Sequence, residues 1–99
     1  MQELIQALRE VEQATDPVNR SIHNGVWWLT NGSEDDLDPR VAKAAELASG
    51  YLIDSKGNAD FRAIATLKAN GFNVTKGESD SFGWLTGIIH TKQGRIVYG

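Results

Sequence analysis

Apolar residues near the start of the chain recur every three or four positions, which is the period of an amphipathic helix. The pattern runs over residues 2–14, and polar side chains occupy most of the opposite face. Asp16 precedes Pro17, and a residue before proline disfavours the helical conformation, so the helix is expected to end by this point. The apolar face consists of Leu4, Ile5, Leu8 and Val11.

Two more helices are predicted from residues that are typical of helix ends. Asp38 and Pro39 are a favourable N-cap and first helical residue, so a helix is expected to begin there and to stop at Gly50. Asn58 is the expected cap of a third helix, which ends near Asn70. The inward positions of these two helices are Val41, Ala44, Ala45, Ala48, Phe61, Ile64, Ala65 and Leu67.

Short runs rich in β-branched and aromatic residues predict strands. These runs are residues 26–29, 72–75, 84–91 and 95–98. The last two are joined across Gln93 and Gly94, a two-residue turn in which glycine readily takes a positive φ. Residues 18–25 show no clear pattern, and residues 51–53 are either a short strand or a continuation of the preceding helix.

These elements predict a single globular α+β domain spanning residues 1–99. About three helices are followed by a C-terminal antiparallel β-meander of three to four strands. The core is expected to contain the apolar residues that face inward from the helices and from the strands. Its predicted members are Leu4, Leu8, Val11, Val41, Ala45, Ala48, Phe61, Ile64, Leu67, Val74, Leu85, Ile89 and Ile96.

The C-terminal hairpin carries apolar residues on both of its faces, because side chains alternate along a strand. The face expected in the core comprises Leu85, Ile89, Ile96 and Tyr98. The second face comprises Trp84, Thr86, Ile88, His90, Lys92, Arg95 and Val97. With a turn at Gln93 and Gly94, Ile89 would pair with Tyr98. A chain of 99 residues can cover one face well, so the second is either open to a partner or covered by residues 16–30.

The composition argues against several classes of function. Ten Lys and Arg residues stand against thirteen Asp and Glu residues, a net charge of −3, so direct nucleic acid binding is not expected. The chain has no cysteine, which excludes disulfides and thiolate metal ligands within it. Its amphipathic, partly acidic beginning is unlike a signal peptide, and no apolar run approaches the roughly 20 residues that span a bilayer. We expect a cytoplasmic protein of bacterial or phage type with no membrane association.

The two histidines are the candidates for catalysis or metal binding. His90 is close in sequence to Glu78 and Asp80, so a metal site with His23 or a small hydrolase built on His90 is one interpretation. The spacing of these residues matches no metal-binding motif, and no nucleophile motif accompanies them. We therefore predict that the chain is not an enzyme and has no catalytic residue, no metal site and no cofactor.

Tryptophans, cationic strand residues and an acidic loop indicate binding to another protein. Trp27 and Trp28 are adjacent in a predicted strand, so they point to opposite faces and only one can easily enter the main core. Trp and Arg are typical anchors of protein interfaces, and an acidic loop can contact a basic surface. The predicted partner-binding residues are Trp84, His90, Lys92, Arg95, Trp27, Trp28, Glu34, Asp35 and Asp36.

The sequence thus predicts a small intracellular, non-catalytic accessory or inhibitor module. It binds a protein partner, or a second copy of itself, through the face of the C-terminal hairpin and the acidic loop. The alternatives are a small-ligand sensor whose pocket is walled by a tryptophan of residues 26–29, or the hydrolase or metal site at His90. The exposure of the tryptophans distinguishes these interpretations, because an interface anchor must reach solvent in the free protein.

Overall fold

In the computed structural model, which describes residues 1–30, 37–77 and 87–99, one helix is followed by two strands, then by two helices and finally by three strands. The helices in these ranges are α1 (Gln2–Glu12), α2 (Pro39–Leu52) and α3 (Phe61–Ala69). The strands are β1 (Ser21–His23), β2 (Val26–Trp28), β3 (Asn73–Lys76), β4 (Gly87–His90) and β5 (Arg95–Tyr98). None of these helices is long and apolar enough to cross a lipid bilayer.

Helix α2 begins at the predicted cap but ends later than predicted. The Asp38 carboxylate accepts a hydrogen bond from the Arg40 amide over 2.9 Å, and Pro39 is the first helical residue. Gly50 does not end this helix, which continues to Leu52, so the alternative in which the helix extends past Gly50 is the one observed. Leu52 is fully buried, and its burial offsets the cost of a glycine inside a helix, which is about 1 kcal/mol.

Helix α3 begins after Asp60 rather than after Asn58, the predicted cap. The Asp60 carboxylate accepts hydrogen bonds from the amides of Arg62 and Ala63, both over 3.1 Å. The amide of Asn58 instead donates to the Asp54 carboxylate over 2.9 Å, which closes the turn before the helix. An aspartate two residues further along therefore supplies the cap.

All five strands in the described ranges belong to one sheet, with the order β1-β2-β5-β4-β3. Neighbouring strands are antiparallel except β2 and β5, which are parallel. The α+β class, the three helices and a C-terminal antiparallel meander, formed by β3, β4 and β5, are confirmed, but the sheet as a whole has five strands in the described ranges and is mixed, because β2 adds to it parallel to β5. The unpredicted strand β1 forms because Asn24 and Gly25 take the positive φ of a tight turn and pair β1 with β2.

The turn between β4 and β5 has the predicted length of two residues but lies one residue earlier, at Lys92 and Gln93. The Thr91 amide donates to the Gly94 carbonyl over 3.0 Å, and the Gly94 amide donates to the Thr91 carbonyl over 3.2 Å. Ile89 consequently pairs with Ile96 and not with Tyr98. The register differs from the predicted one by two residues. Because side chains alternate with a period of two, the predicted membership of both faces still holds for the described residues.

The core lies between the helices and one face of the sheet. Phe61 was predicted to be buried but is 80% exposed, because side chains tilt toward the start of a helix and Phe61 is the first residue of α3. Ala45 and Ile64 are half-buried against the core, and the predicted core position Leu85 lies outside the described residues. The confirmed predictions are Leu4, Leu8, Val11, Val41, Ala48, Leu67, Val74, Ile89 and Ile96, and the core also includes Leu29, Leu52, Phe72 and Tyr98.

Replacing Asp38 with alanine is expected to lower the free energy of unfolding by about 1 kcal/mol, because α2 loses its N-cap. The Asp38 carboxylate also accepts a hydrogen bond from the Arg40 guanidinium over 2.8 Å, and this bond lowers the pKa of Asp38. The stabilisation is therefore complete above the unfolded pKa of about 3.9. It disappears as the pH falls through the lower folded pKa. Urea denaturation at neutral and acidic pH measures both effects.

Asp38→Asn is the matched control for this substitution, because asparagine caps helices about as well as aspartate but carries no charge. The Asn variant should keep most of the stability at neutral pH and show a weaker dependence on acidic pH. An alanine variant that is as stable as the native chain would contradict the role assigned to Asp38.

Candidate functional site

The sheet has one face in the core and a second face, called here the outer face, which carries Trp28, Ile88, His90, Arg95 and Val97. Ile88 lies opposite Val97, and His90 lies opposite Arg95. Trp28 is aligned with Arg95 on the neighbouring strand. Ile88 and Val97 are half-buried and do not belong to the hydrophobic core. In the described part of the chain, the outer face is thus apolar along its middle, with polar and basic residues beside it.

Strands β1 and β2 extend the sheet sideways and do not fold over the outer face. This differs from the interpretation in which residues 16–30 cover that face. Trp28 is aligned with Arg95, and the Leu29 amide donates to the Arg95 carbonyl over 2.9 Å. Backbone pairing in the plane of the sheet keeps these strands beside β5. The apolar row therefore stays uncovered by this segment.

The Arg95 guanidinium stacks on the ring of Trp28, with 5.3 Å between Cζ and the ring centroid. Both residues are half-buried. Among the described residues, no carboxylate forms an ion pair with Arg95. The π electrons of the Trp28 ring compensate part of its charge. The pair therefore offers a partner a large apolar surface next to a positive charge.

Neither tryptophan of β2 enters the core, although one of them was expected to do so. Trp27 shares the inner face with Leu29 but is 42% exposed, whereas Leu29 is 2% exposed. The guanidinium of Arg20 lies 4.2 Å from the centroid of the Trp27 ring and donates to the Gln93 carbonyl over 3.2 Å. Trp27 lies next to the hairpin turn of β4 and β5, at the end of the sheet. Leu29 takes the core position that a tryptophan was expected to fill.

The imidazole of His90 interacts with a threonine from the edge strand. Its Nε2 lies 2.8 Å from the Oγ1 of Thr75, a hydrogen-bonding distance. Partial burial lowers the pKa of His90, and the nearby positive charge of Arg95 lowers it further. The imidazole is therefore neutral at neutral pH, where it can donate or accept a hydrogen bond.

Four of the predicted partner-binding residues line one depression at the end of the outer face. These residues are Trp27, His90, Lys92 and Arg95. The depression has a volume of about 280 Å³ and lies between the turns of the two hairpins. No aspartate or glutamate is among its described lining residues. The structure thus brings together side chains from two separate parts of the sequence.

No family model, curated protein or solved structure matches this chain. Within the described ranges, the ring of His90 is hydrogen-bonded to the Thr75 hydroxyl and to no carboxylate.

A larger apolar cleft of about 690 Å³ opens at the opposite end of the sheet, between α3 and strands β3 to β5. Its apolar walls come from Leu52, Ile53, Phe61, Ile64, Val74 and Tyr98. Lys68 and Lys76 supply positive charge at its walls, and Asp54 supplies negative charge. Neither tryptophan of β2 lines this cleft. The tryptophan-walled pocket predicted from residues 26–29 is therefore not the cleft found here.

Several predicted site residues lie outside the described residues. These are Trp84, Glu34, Asp35, Asp36, Glu78 and Asp80, together with the side chain of His23. Within the described ranges, no group of three His, Asp or Glu side chains comes together to hold a metal ion. Two contributors were not predicted, Arg20 and Thr75. Thr75 follows the buried Val74 in β3, so side-chain alternation along the strand could have assigned Thr75 to the outer face. No sequence signal marks Arg20.

Proposed function

We propose that this chain is a non-catalytic protein-binding module that acts in the cytoplasm as an accessory or inhibitor protein. The outer face is its binding surface. The observation that carries the proposal is the apolar row of Trp28, Ile88 and Val97 on the face of the sheet opposite the core. Apolar surface with polar residues around it is typical of interaction sites. The absence of cysteine is compatible with a reducing compartment such as the cytoplasm.

The contacts of the outer face favour a protein partner over nucleic acid. Arg95 stacks on Trp28, so part of that ring is already in contact with a side chain and is less open to stacking with a base. The chain carries a net charge of −3, which opposes the approach of a polyanion. Trp and Arg are enriched among the residues that dominate the binding energy of protein interfaces.

Replacing Trp28 with alanine is expected to weaken capture of the partner by at least about tenfold, because a central tryptophan of an interface contributes more than 1 kcal/mol. The measurement is quantitative mass spectrometry of proteins retained by the immobilised chain from a lysate of the organism that encodes it. Sedimentation velocity of the native chain and the variant tests whether the partner is a second copy. Circular dichroism and thermal melting establish that the variant is folded.

Phe61→Ala is the matched control, because Phe61 is an exposed aromatic residue at the apolar cleft, at the other end of the sheet. It should capture the same proteins as the native chain. The proposal fails if a folded Trp28→Ala variant captures its partners and self-associates as the native chain does. A loss of capture by the Phe61 variant alone would move the binding surface to the cleft.

Binding of a small apolar molecule is a second candidate function, and the cleft of about 690 Å³ favours it. Its volume lies within the range of small-molecule sites, and such sites are lined mainly by apolar and aromatic side chains. A set of metabolites that includes amphipathic acids should then raise the melting temperature of the native chain and have less effect on Phe61→Ala. If no metabolite raises the melting temperature, this second candidate is rejected.

A further inference from the structure

The depression at the end of the outer face carries positive charge, and no described carboxylate forms an ion pair with it. Arg95 forms no ion pair within the described ranges, and Lys92 is exposed. Glu12 contacts this turn, but its carboxylate accepts a hydrogen bond from the main-chain amide of Lys92 over 2.9 Å. The cations among the described residues that line the depression are therefore Lys92 and Arg95.

We infer that this depression binds a carboxylate of the partner, so that the outer face recognises an acidic residue flanked by apolar residues. The inference rests on the proposed function and names the chemistry of the partner. The planar guanidinium of Arg95 matches the geometry of a carboxylate, and the exposed amine of Lys92 supplies a second positive charge. Trp28, Ile88 and Val97 lie on the same face as Arg95. In the inferred complex they contact the apolar residues that flank the acidic residue of the partner.

The charge distribution also disfavours a second copy of this chain as the occupant of the outer face. In a two-fold symmetric dimer both copies contribute the same face, and the described residues of the outer face offer histidine and arginine but no carboxylate to the depression of the other copy. Like charges across an interface are unfavourable. An acidic segment of another protein has complementary charge and meets no such repulsion.

The test uses two acetylated, amidated peptides of the same length, in which leucine and valine alternate with either glutamate or glutamine. Binding to the full chain is measured by the chemical-shift changes of its amide and indole groups. We expect the glutamate peptide to shift the signals of Trp27 and of residues 90–95. Its affinity should be at least about tenfold higher than that of the glutamine peptide, and salt should reduce it.

Lys92→Gln and Arg95→Gln should each weaken binding of the glutamate peptide by at least about threefold, because each removes one positive charge from the depression. Lys56→Gln is the matched control, since it makes the same chemical change at an exposed turn near the opposite end of the sheet. It should leave the affinity unchanged. Equal weakening by all three substitutions would show that binding follows net charge, and the inference would be wrong.

Other outcomes separate this inference from the proposed function. If both peptides shift Trp28, Ile88 and Val97 equally, the outer face binds protein segments but the preference for a carboxylate is overturned. If neither peptide binds, the carboxylate site is also overturned, while capture by the native chain and not by Trp28→Ala would still support the proposed function. Tighter binding of oligothymidylate than of the glutamate peptide would assign the depression to nucleic acid instead.

Discussion

Replacing Ile89 with alanine should lower the free energy of unfolding by about 2–5 kcal/mol, the largest effect expected of any substitution considered. Ile89 is completely buried and pairs with Ile96, which is also completely buried. Removing three carbon atoms from this position leaves a cavity between the sheet and the helices, because close-packed neighbours relax only partly. Urea denaturation followed by circular dichroism measures the change.

Ile88→Ala is the matched control, because Ile88 precedes Ile89 in the same strand and points to the outer face. Ile88 is half-buried and lies outside the core, so its truncation should cost less than half as much as that of Ile89. Similar losses for the two variants would mean that both faces of β4 are packed to the same extent. The outer face would then no longer be the binding surface.

Gly87→Ala should destabilise the chain by about 1–3 kcal/mol, because there is no room for a side chain at this position. A Cβ atom on Gly87 would overlap the ring of Tyr98, which is its cross-strand partner and is buried in the core. The ring would have to shift toward the cleft that it lines, and it would lose contacts with the core. Thermal and urea denaturation of the variant measure the loss.

Two further variants test the cause of that loss. Tyr98→Leu removes the ring, so the double variant with Gly87→Ala should be more stable than the sum of the two single effects predicts. Gly50→Ala should instead stabilise the chain by about 0.5–1 kcal/mol, because Gly50 lies inside α2 and a Cβ there would meet open space. Strict additivity in the double variant would contradict the proposed overlap.

Stability and the proposed binding function depend on opposite faces of the same strands. Ile89, Ile96 and Tyr98 pack against the helices, while Ile88, Val97 and Arg95 face away from them. Substitutions on the outer face are therefore expected to affect binding more than folding. This separation makes the binding surface testable by mutation without loss of the fold.

Local patterns were sufficient to predict the helices and the side-chain faces of the hairpin. The recurrence of apolar residues every three or four positions predicted α1, and Asp38 with Pro39 predicted the start of α2. Both signals depend only on residues within one or two helical turns of each other. Side-chain alternation assigned Ile89 and Ile96 to the core. This assignment is correct although the predicted register was wrong by two residues, because a shift of two residues leaves each side chain on the same face.

The neighbours of each strand, and the resulting candidate site, depend on contacts that are distant in sequence. No local signal predicts that β2 lies parallel to β5, because this pairing joins strands separated by most of the chain. That pairing places Trp28 beside Arg95 and leaves Trp27 at the end of the sheet. It also brings the two hairpin turns together around the basic depression. Residue types alone could identify Trp27, Trp28, His90, Lys92 and Arg95 as candidates, but only the tertiary structure could decide which of them share a surface, because burial and distance depend on the packing of the whole chain.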